Sequence, residues 1–305
     1  MIRSLKILWS FSRPHTMIGS FLSITSLYLI SIAVVFPEDP VRNIGIFGWL
    51  WAITLLSAIA CNIYITGLNQ IMDIEIDRIN KPWLPIAAGK LSKRSATIII
   101  LVAALVAVLA AASSTWVLFA LILCIMAIGT AYSLPPLKFK KHHVAAAVSI
   151  LLVRGVLVNI GMPVHFIFSI RNDLFIPPDV WPITFFVAGF SLAIAWFKDI
   201  PDTKGDAIYS IRTLAIRISA KTAFIYGIAV VALAYAGTMF LTAWLGLHIK
   251  GSFFFISHAI LLLLFLAGAG RVQLNDPEKL KRSYILFWGF FFVEYIVYTL
   301  AYFIP

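Results

Sequence analysis

Residues 45–77 read GIFGWLWAITLLSAIACNIYITGLNQIMDIEID. From Gly45 to Ile71 there is no Asp, Glu, Lys or Arg. The run exceeds the roughly 20 mostly apolar residues that carry an α-helix across a bilayer. Asp73, Glu75 and Asp77 then follow at every second position. The segment reads as a membrane helix ending in a cluster of carboxylates.

Eight further runs are long and apolar enough to span: about 14–36, 95–113, 114–133, 144–170, 181–198, 220–244, 253–270 and 284–304. Only Ser113-Ser114-Thr115 divides the run ending near 113 from the next, so those two form a tight helical hairpin. The 305 residues are 61% hydrophobic and 12% charged, with a mean hydropathy of +0.97. Soluble globular domains carry about 25% charged residues. The expected fold class is all-α integral membrane, with nine transmembrane helices in one polytopic domain over residues 1–305. Cys61 and Cys124 both sit inside apolar runs, so neither a disulfide framework nor a Cys-based metal site is expected. Met1 to Arg13 is too short and too mixed for a cleaved signal or transit peptide. The lack of a longer extension is what a prokaryotic or mature chain would show.

With nine spans, the loops alternate between two faces. One face takes the N-terminus and the loops near 72–94, 134–143, 198–219 and 271–283. With Lys221 at the next helix start, it holds twenty of the twenty-four Lys and Arg. The other face holds only Arg42, Arg171 and Lys250, and Arg154 lies inside a span. Cytoplasmic loops carry the excess of Lys and Arg, so the N-terminus is expected on the cytoplasmic side. The net charge of +11 then belongs to one face attracted to anionic membrane lipid. No nucleic-acid partner is needed to explain it.

Six of the thirteen carboxylates lie in two clusters on that basic face. Asn69, Asp73 and Asp77 are spaced i, i+4, i+8, which on one continuous helix puts them on a slowly drifting face. Asn62 falls nearly on the same side. Oxygen donors in such a stripe suit Mg2+, which takes one or two carboxylates and keeps water and substrate phosphate for its other positions. The competing reading is a solvated helix end with Asp73 and Asp77 paired to Arg78 or Lys81. The second cluster is Lys198-Asp199-Ile-Pro-Asp202-Thr-Lys204-Gly-Asp206. Pro201 and Gly205 predict a helix end running into a loop, with Pro201 opening a new helical segment. Two acidic clusters on one face could hold two metals that clamp a diphosphate and neutralise the departing pyrophosphate.

These residues, with the text around them, resemble the UbiA superfamily of intramembrane prenyltransferases, and within it the homogentisate prenyltransferases. The first cluster matches that family's NxxxDxxxD, set in Gly67-Leu-Asn-Gln-Ile-Met-Asp-Ile-Glu-Ile-Asp-Arg-Ile-Asn-Lys-Pro82 and followed by Leu84-Pro85-Ile-Ala-Ala-Gly89. Phe11-Ser-Arg-Pro-His-Thr16, Gly129-Thr-Ala-Tyr-Ser133 with Pro135-Pro136, Val153-Arg-Gly155 with Asn159, the second cluster and Phe292-Val-Glu-Tyr295 follow in order. The resemblance implies nine helices around a central cavity with a polar cap over both acidic motifs. It implies that Mg2+, bound at Asn69, Asp73, Asp77, Asp199, Asp202 and Asp206, holds a prenyl diphosphate. Ionisation would give an allylic cation that the ring of homogentisate attacks, the acetate arm losing CO2. Phytyl is the expected donor group; geranylgeranyl, solanesyl or another aromatic acceptor are the alternatives. The expected place is a plasma or internal photosynthetic membrane, the cap on the cytoplasmic face.

Other polar residues divide by position. Arg78, Lys81, Lys198 and Lys204 stand beside the acidic residues and are candidates for the diphosphate. Lys138 and Lys140 are further candidates, although topology alone explains lysines there. Arg13 opens the first span and could reach the diphosphate or snorkel to lipid phosphate. Arg154 lies inside the fifth span, where a charge is functional by default. Its possible partners are the diphosphate, the acidic motifs, a substrate carboxylate or Glu294. Asn159, Tyr64 and Tyr132 could line the cavity or bond between helices. An ion-coupled transporter is the reading from another class, and it predicts charges near the midplane of several helices.

Overall fold

The structure, a computed structural model, describes residues 2–209, 213–247 and 249–304, with side chains for all of these except 2–4, 204, 205, 277 and 278. In chain order the helices are α1 (Ile2–Phe11), α2 (Pro14–Val35), α3 (Pro40–Ile46), α4 (Gly48–Met72), α5 (Ile74–Asn80), α6 (Lys93–Ala112) and α7 (Trp116–Ser133). There follow α8 (His143–Ile150), a π-helical turn (Leu151–Leu157), α9 (Val158–Arg171), α10 (Val180–Ile208), α11 (Leu214–Ile218), α12 (Ala220–Leu245), α13 (Gly251–Ala269) and α14 (Pro277–Phe303). Nine helical segments among the described residues are long and apolar enough to cross a bilayer, α8 to α9 counting as one. They match the nine apolar runs closely. The exceptions are the end of α10 and the start of α14, which run further than hydropathy suggests because polar residues continue the helix beyond the oily stretch. The chain is an all-α, multi-pass integral membrane protein.

Local chemistry sets the ends. In the α6–α7 hairpin, the Thr115 hydroxyl accepts the Leu118 N–H at 3.1 Å, capping α7. Ser92 does the same for α6 and Ser219 for α12. The lipid-facing surface is plain: Leu101, Leu105 and Leu109, one α6 stripe at i, i+4, i+8, are each 59–60% exposed. Between helices the apolar effect is weak in lipid, and close packing does the work. α10 is the innermost span, with Val180, Ile183, Phe186, Val187, Phe190 and Ala193 wholly buried. An aromatic seam joins it to its neighbours: Phe190 meets Phe265 of α13 at 5.9 Å and Phe291 of α14 at 5.9 Å, and Phe197 meets Phe287 at 4.9 Å.

Polar groups interrupt this apolar interior at several points, Asn159 and Glu294 among them. The π-helical turn carries Arg154, and Asn159 braces it: the Asn159 amide donates to the carbonyls of Arg154 (2.7 Å) and Gly155 (2.8 Å) and accepts from the Tyr295 hydroxyl at 2.8 Å. Gly155 lets this turn lie against α10, since a Cβ there would stand 2.8 Å from the Ala188 Cα. Separately, His258 of α13 and Glu294 of α14 pair at 2.9 Å, both wholly buried. The other imidazole nitrogen donates to the Phe254 carbonyl at 2.7 Å. Glu294 therefore pairs with His258, not with Arg154.

Candidate active site

The acidic motif is not one helix. α4 ends at Met72, Asp73 takes a non-helical conformation (φ −115°, ψ 18°), and α5 restarts at Ile74. This corrects the continuous stripe. The break turns α5 onto α10, against which it packs. In the other cluster the expected loop is absent: α10 runs unbroken through Pro201 to Ile208. Pro inside membrane helices is tolerated; one residue beyond it the Asn80 amide donates to the Asp202 carbonyl at 3.1 Å, tying the end of α5 to α10.

These two departures bring the motifs together. Asn69, Asp73, Asp77, Asp199, Asp202 and Asp206 line one cavity of about 80 Å3. Arg13, Lys81, Tyr132, Lys140 and Lys198 share it. Arg13 enters because it holds a left-handed conformation (φ 54°) at the joint between α1 and α2. Lys140 Nζ donates to Asp73 Oδ1 at 2.6 Å, Lys198 lies 3.3 Å from Asp199, and Lys81 pairs with Asp202. Burial pushes Asp77 up to about 6, with Arg13 and Lys81 opposing the rise. Burial pushes Asp206 up to about 7, reinforced by Asp202 and Asp199. Burial also lowers Lys140, against the pull of Asp73.

The donor set suits a hard divalent cation that brings some of its own ligands. Asp77 Oδ2 is buried with no hydrogen-bond partner. Among the described residues no three His, Cys, Asp or Glu converge on a point that would hold an ion alone. A cation here would complete its shell with water and substrate oxygens, which is the habit of Mg2+.

Beneath this mouth the space continues inward. A second cavity of about 210 Å3 shares Arg13, Asn69, Tyr132 and Lys198 with the first and adds Arg154, Tyr284 and Trp288. A third, about 180 Å3, shares Arg154 and Trp288 with the second and is walled by Ile24, Ile122, Ile125, Met162 and Phe291. The Arg154 guanidinium sits 4.7 Å from the Trp288 ring centre and makes no ion pair among the described residues. A path therefore leads from carboxylates and lysines, past an arginine with no ion pair among the described residues, into a mainly apolar chamber that also carries Ser20, Ser23 and Asn62 on its wall.

Some expected residues stand elsewhere. Arg78 is exposed and bound to Glu75 at 2.8 Å, facing away from the cavity. Lys138, left-handed at φ 38°, does not line it. The Tyr64 hydroxyl bonds Thr130 at 2.8 Å, and Asn159 braces the π-helical turn. The side chain of Lys204 lies outside the described residues. Conversely, Asn80, Thr213, Tyr284 and Trp288 line the cavities without having been singled out. Only the spacing of Asn80, three beyond Asp77, could have signalled one of them. The aromatics of α14 look in sequence like any others in this chain.

Known proteins resemble this chain along nearly its whole length. The chain is 36% identical to a homogentisate phytyltransferase of Synechocystis sp., covering 99% of this chain and 97% of that protein. It is 34% identical to homogentisate phytyltransferase 1 of Arabidopsis thaliana, covering 96% and 75%. The fold is similar to that of a UbiA homolog from Archaeoglobus fulgidus solved with GPP and Mg2+ bound, with a TM-score of 0.62, 15% identity and coverage of 97% and 99%. Residues 22–292 match the UbiA prenyltransferase family. Sequence and fold thus agree, and the chain belongs to the UbiA prenyltransferase family.

Proposed function

We propose that the protein transfers a prenyl group, phytyl in first place, from its diphosphate to homogentisate. The allylic C–O bond breaks and pyrophosphate leaves. A C–C bond forms at the ring, the ring proton departs, and the acetate arm loses CO2 and gains a proton. The observation that supports this best is the continuity of the acidic, lysine-bearing mouth with a chamber deep among the membrane helices. Kinship with the homogentisate enzymes supplies the acceptor. A geranylgeranyl or solanesyl donor would use the same groups and a different chamber length.

Asn69, Asp73, Asp77, Asp199, Asp202 and Asp206 would hold Mg2+, which supplies positive charge to the leaving pyrophosphate. The chain's own groups do the rest. Arg13, Lys81, Lys140 and Lys198 bind phosphate oxygens at the mouth. Arg154 takes the carboxylate of the aromatic acid in the second cavity, where no carboxylate among the described residues lines the wall to compete for it. The faces of Trp288 and Phe291 border the same space, and aromatic faces stabilise positive charge. The apolar walls exclude water, which would otherwise trap the allylic cation. The acidic mouth lies on the cytoplasmic side, an orientation that the lysine bias supports.

An assay of purified protein in detergent tests this. Homogentisate, Mg2+ and a panel of prenyl diphosphates should give a product whose mass shows one prenyl group added and CO2 lost. Asp77→Asn and Asp202→Ala should abolish the product in protein that still folds. Near-normal turnover in either variant, or turnover in excess EDTA, overturns the proposal. For orientation, a membrane-impermeant amine reagent should reach the exposed Lys93 and Lys141 from the cytoplasmic side alone.

A further inference from the structure

The carboxylates of the mouth divide into two groups. Asp73, Asp199 and Asp202 are each held by a lysine: Lys140 at 2.6 Å, Lys198 at 3.3 Å, and Lys81. Asp77 and Asp206 pair with no lysine among the described residues; one Asp77 oxygen is orphaned, and Asp206 receives the Asn80 amide at 3.5 Å. Two of the three lysines come from other elements. Lys140 reaches in from the short turn Phe139–Lys141 between α7 and α8, and Lys81 from just beyond α5.

We propose that Lys140 and Lys81 are place-holders for divalent cations. In the metal-free protein they neutralise Asp73 and Asp202. Asp73 and Asp202 would exchange those lysines for a divalent cation, and the released ammonium groups, still within the same cavity, would turn to the diphosphate. The inference rests on the reading of this mouth as a metal and diphosphate site.

Burial carries the argument. The Lys140 and Asp73 side chains are only 6% and 13% exposed. Stripping one partner from such a pair strands a charge in a poorly solvated place. Asp73 cannot release Lys140 unless another cation replaces it, and a metal cannot use that oxygen while the lysine holds it. The two occupants exclude each other, and the displaced lysine favours an anion, so metal and diphosphate binding are coupled with a positive sign. The formal charges agree. With all five carboxylates ionised, as metal binding needs, they exceed Arg13, Lys81, Lys140 and Lys198 by one negative charge. Two divalent ions would make it three positive, and a prenyl diphosphate carrying about three negative charges restores balance.

The test is a pair of titrations on Lys140→Met and Lys81→Met in detergent. Mg2+ is titrated without diphosphate, and inorganic pyrophosphate is titrated at saturating Mg2+. Removing a place-holder should tighten Mg2+ on the order of ten-fold and weaken pyrophosphate on the order of ten-fold, about one unpaired charge contact each. The melting temperature of Lys140→Met should also rise more on adding Mg2+ than that of the unaltered protein. If both affinities fall together, or Mg2+ affinity is unchanged, the lysines are structural braces and the inference is wrong. Should Lys140→Met fail to fold, Lys81→Met decides, because Lys81 is the more open lysine at 23% exposure against 6%. If the unaltered protein binds no Mg2+ with or without pyrophosphate, the metal reading itself falls, and this inference with it.

Discussion

Replacing Arg154 by Met keeps most of the side-chain length and removes the charge. The fold should tolerate this. The variant loses the cation–π contact with Trp288 at 4.7 Å, a loss of roughly 0.5–2 kcal/mol. It also removes a half-buried charge that has no ionic partner among the described residues, and relief of its partial desolvation offsets the loss. The net change in stability should lie within about 1 kcal/mol. Acceptor binding should suffer more. Losing one member of a buried charge pair with a substrate carboxylate costs at least about 2 kcal/mol, or roughly 30-fold in affinity. Steady-state kinetics with product mass as readout should show KM for homogentisate rising by about that factor, and KM for the prenyl diphosphate moving little. A methylhydroquinone acceptor, which lacks the carboxylate, should serve both proteins equally. An unchanged KM for homogentisate would refute the assignment. A rise in the diphosphate KM alone would place Arg154 on the phosphates, and a stability loss above about 3 kcal/mol would make it a brace.

Three further outcomes are expected. Gly155→Ala would set a Cβ 2.8 Å from the Ala188 Cα, so α10 and the π-helical turn must part; thermal unfolding should show a loss of about 1–3 kcal/mol, and turnover should fall further because Arg154 moves with the turn. Glu294→Ala leaves a wholly buried imidazole without its partner, which should cost about 3–5 kcal/mol while leaving KM for homogentisate unchanged, whereas Glu294→Gln should recover most of the stability. For pH, Asp77 and Asp206 stand near 6 and 7 in the folded chain, above the ordinary carboxylate value. Their ionisation therefore opposes folding, and this contribution costs metal-free protein stability as pH rises from about 4 through 7. Mg2+ needs the ionised forms, so its affinity should climb over the same range. Melting curves at pH 5 and 8, with and without Mg2+, would expose the error if metal-free stability rose with pH.

The spans were legible because a bilayer demands about 20 apolar residues in a row, and little else in a sequence imitates that. The acidic motifs were legible because carboxylates are rare in such a chain. What spacing could not convey was how the motifs meet. The i, i+4, i+8 pattern of Asn69, Asp73 and Asp77 pointed to one helix, yet the break at Asp73 is what swings Asp77 towards α10. Pro201 looked like a boundary, and tertiary contacts carry α10 straight past it. Lys140 and Lys138 were alike as sequence, two residues apart in a basic loop. Only the turn between them sends one into the cavity. Trp288 was unreadable for a different reason: nothing in an aromatic-rich helix tells a lipid-facing ring from one that lines a cavity.

The His258–Glu294 pair has a consequence for how the chain enters the membrane. An acidic residue at the centre of an isolated helix costs roughly 2.5–3.5 kcal/mol to insert. α14 carries Glu294 deep in its span, and α13 carries the group that answers it. Each helix alone would bring an unmatched polar group into hydrocarbon; together they bring one proton shared between two side chains. The last two spans are thus better partitioned as a preformed hairpin than one after the other. A nascent chain halted after α13 would still lack the partner that makes His258 acceptable to lipid.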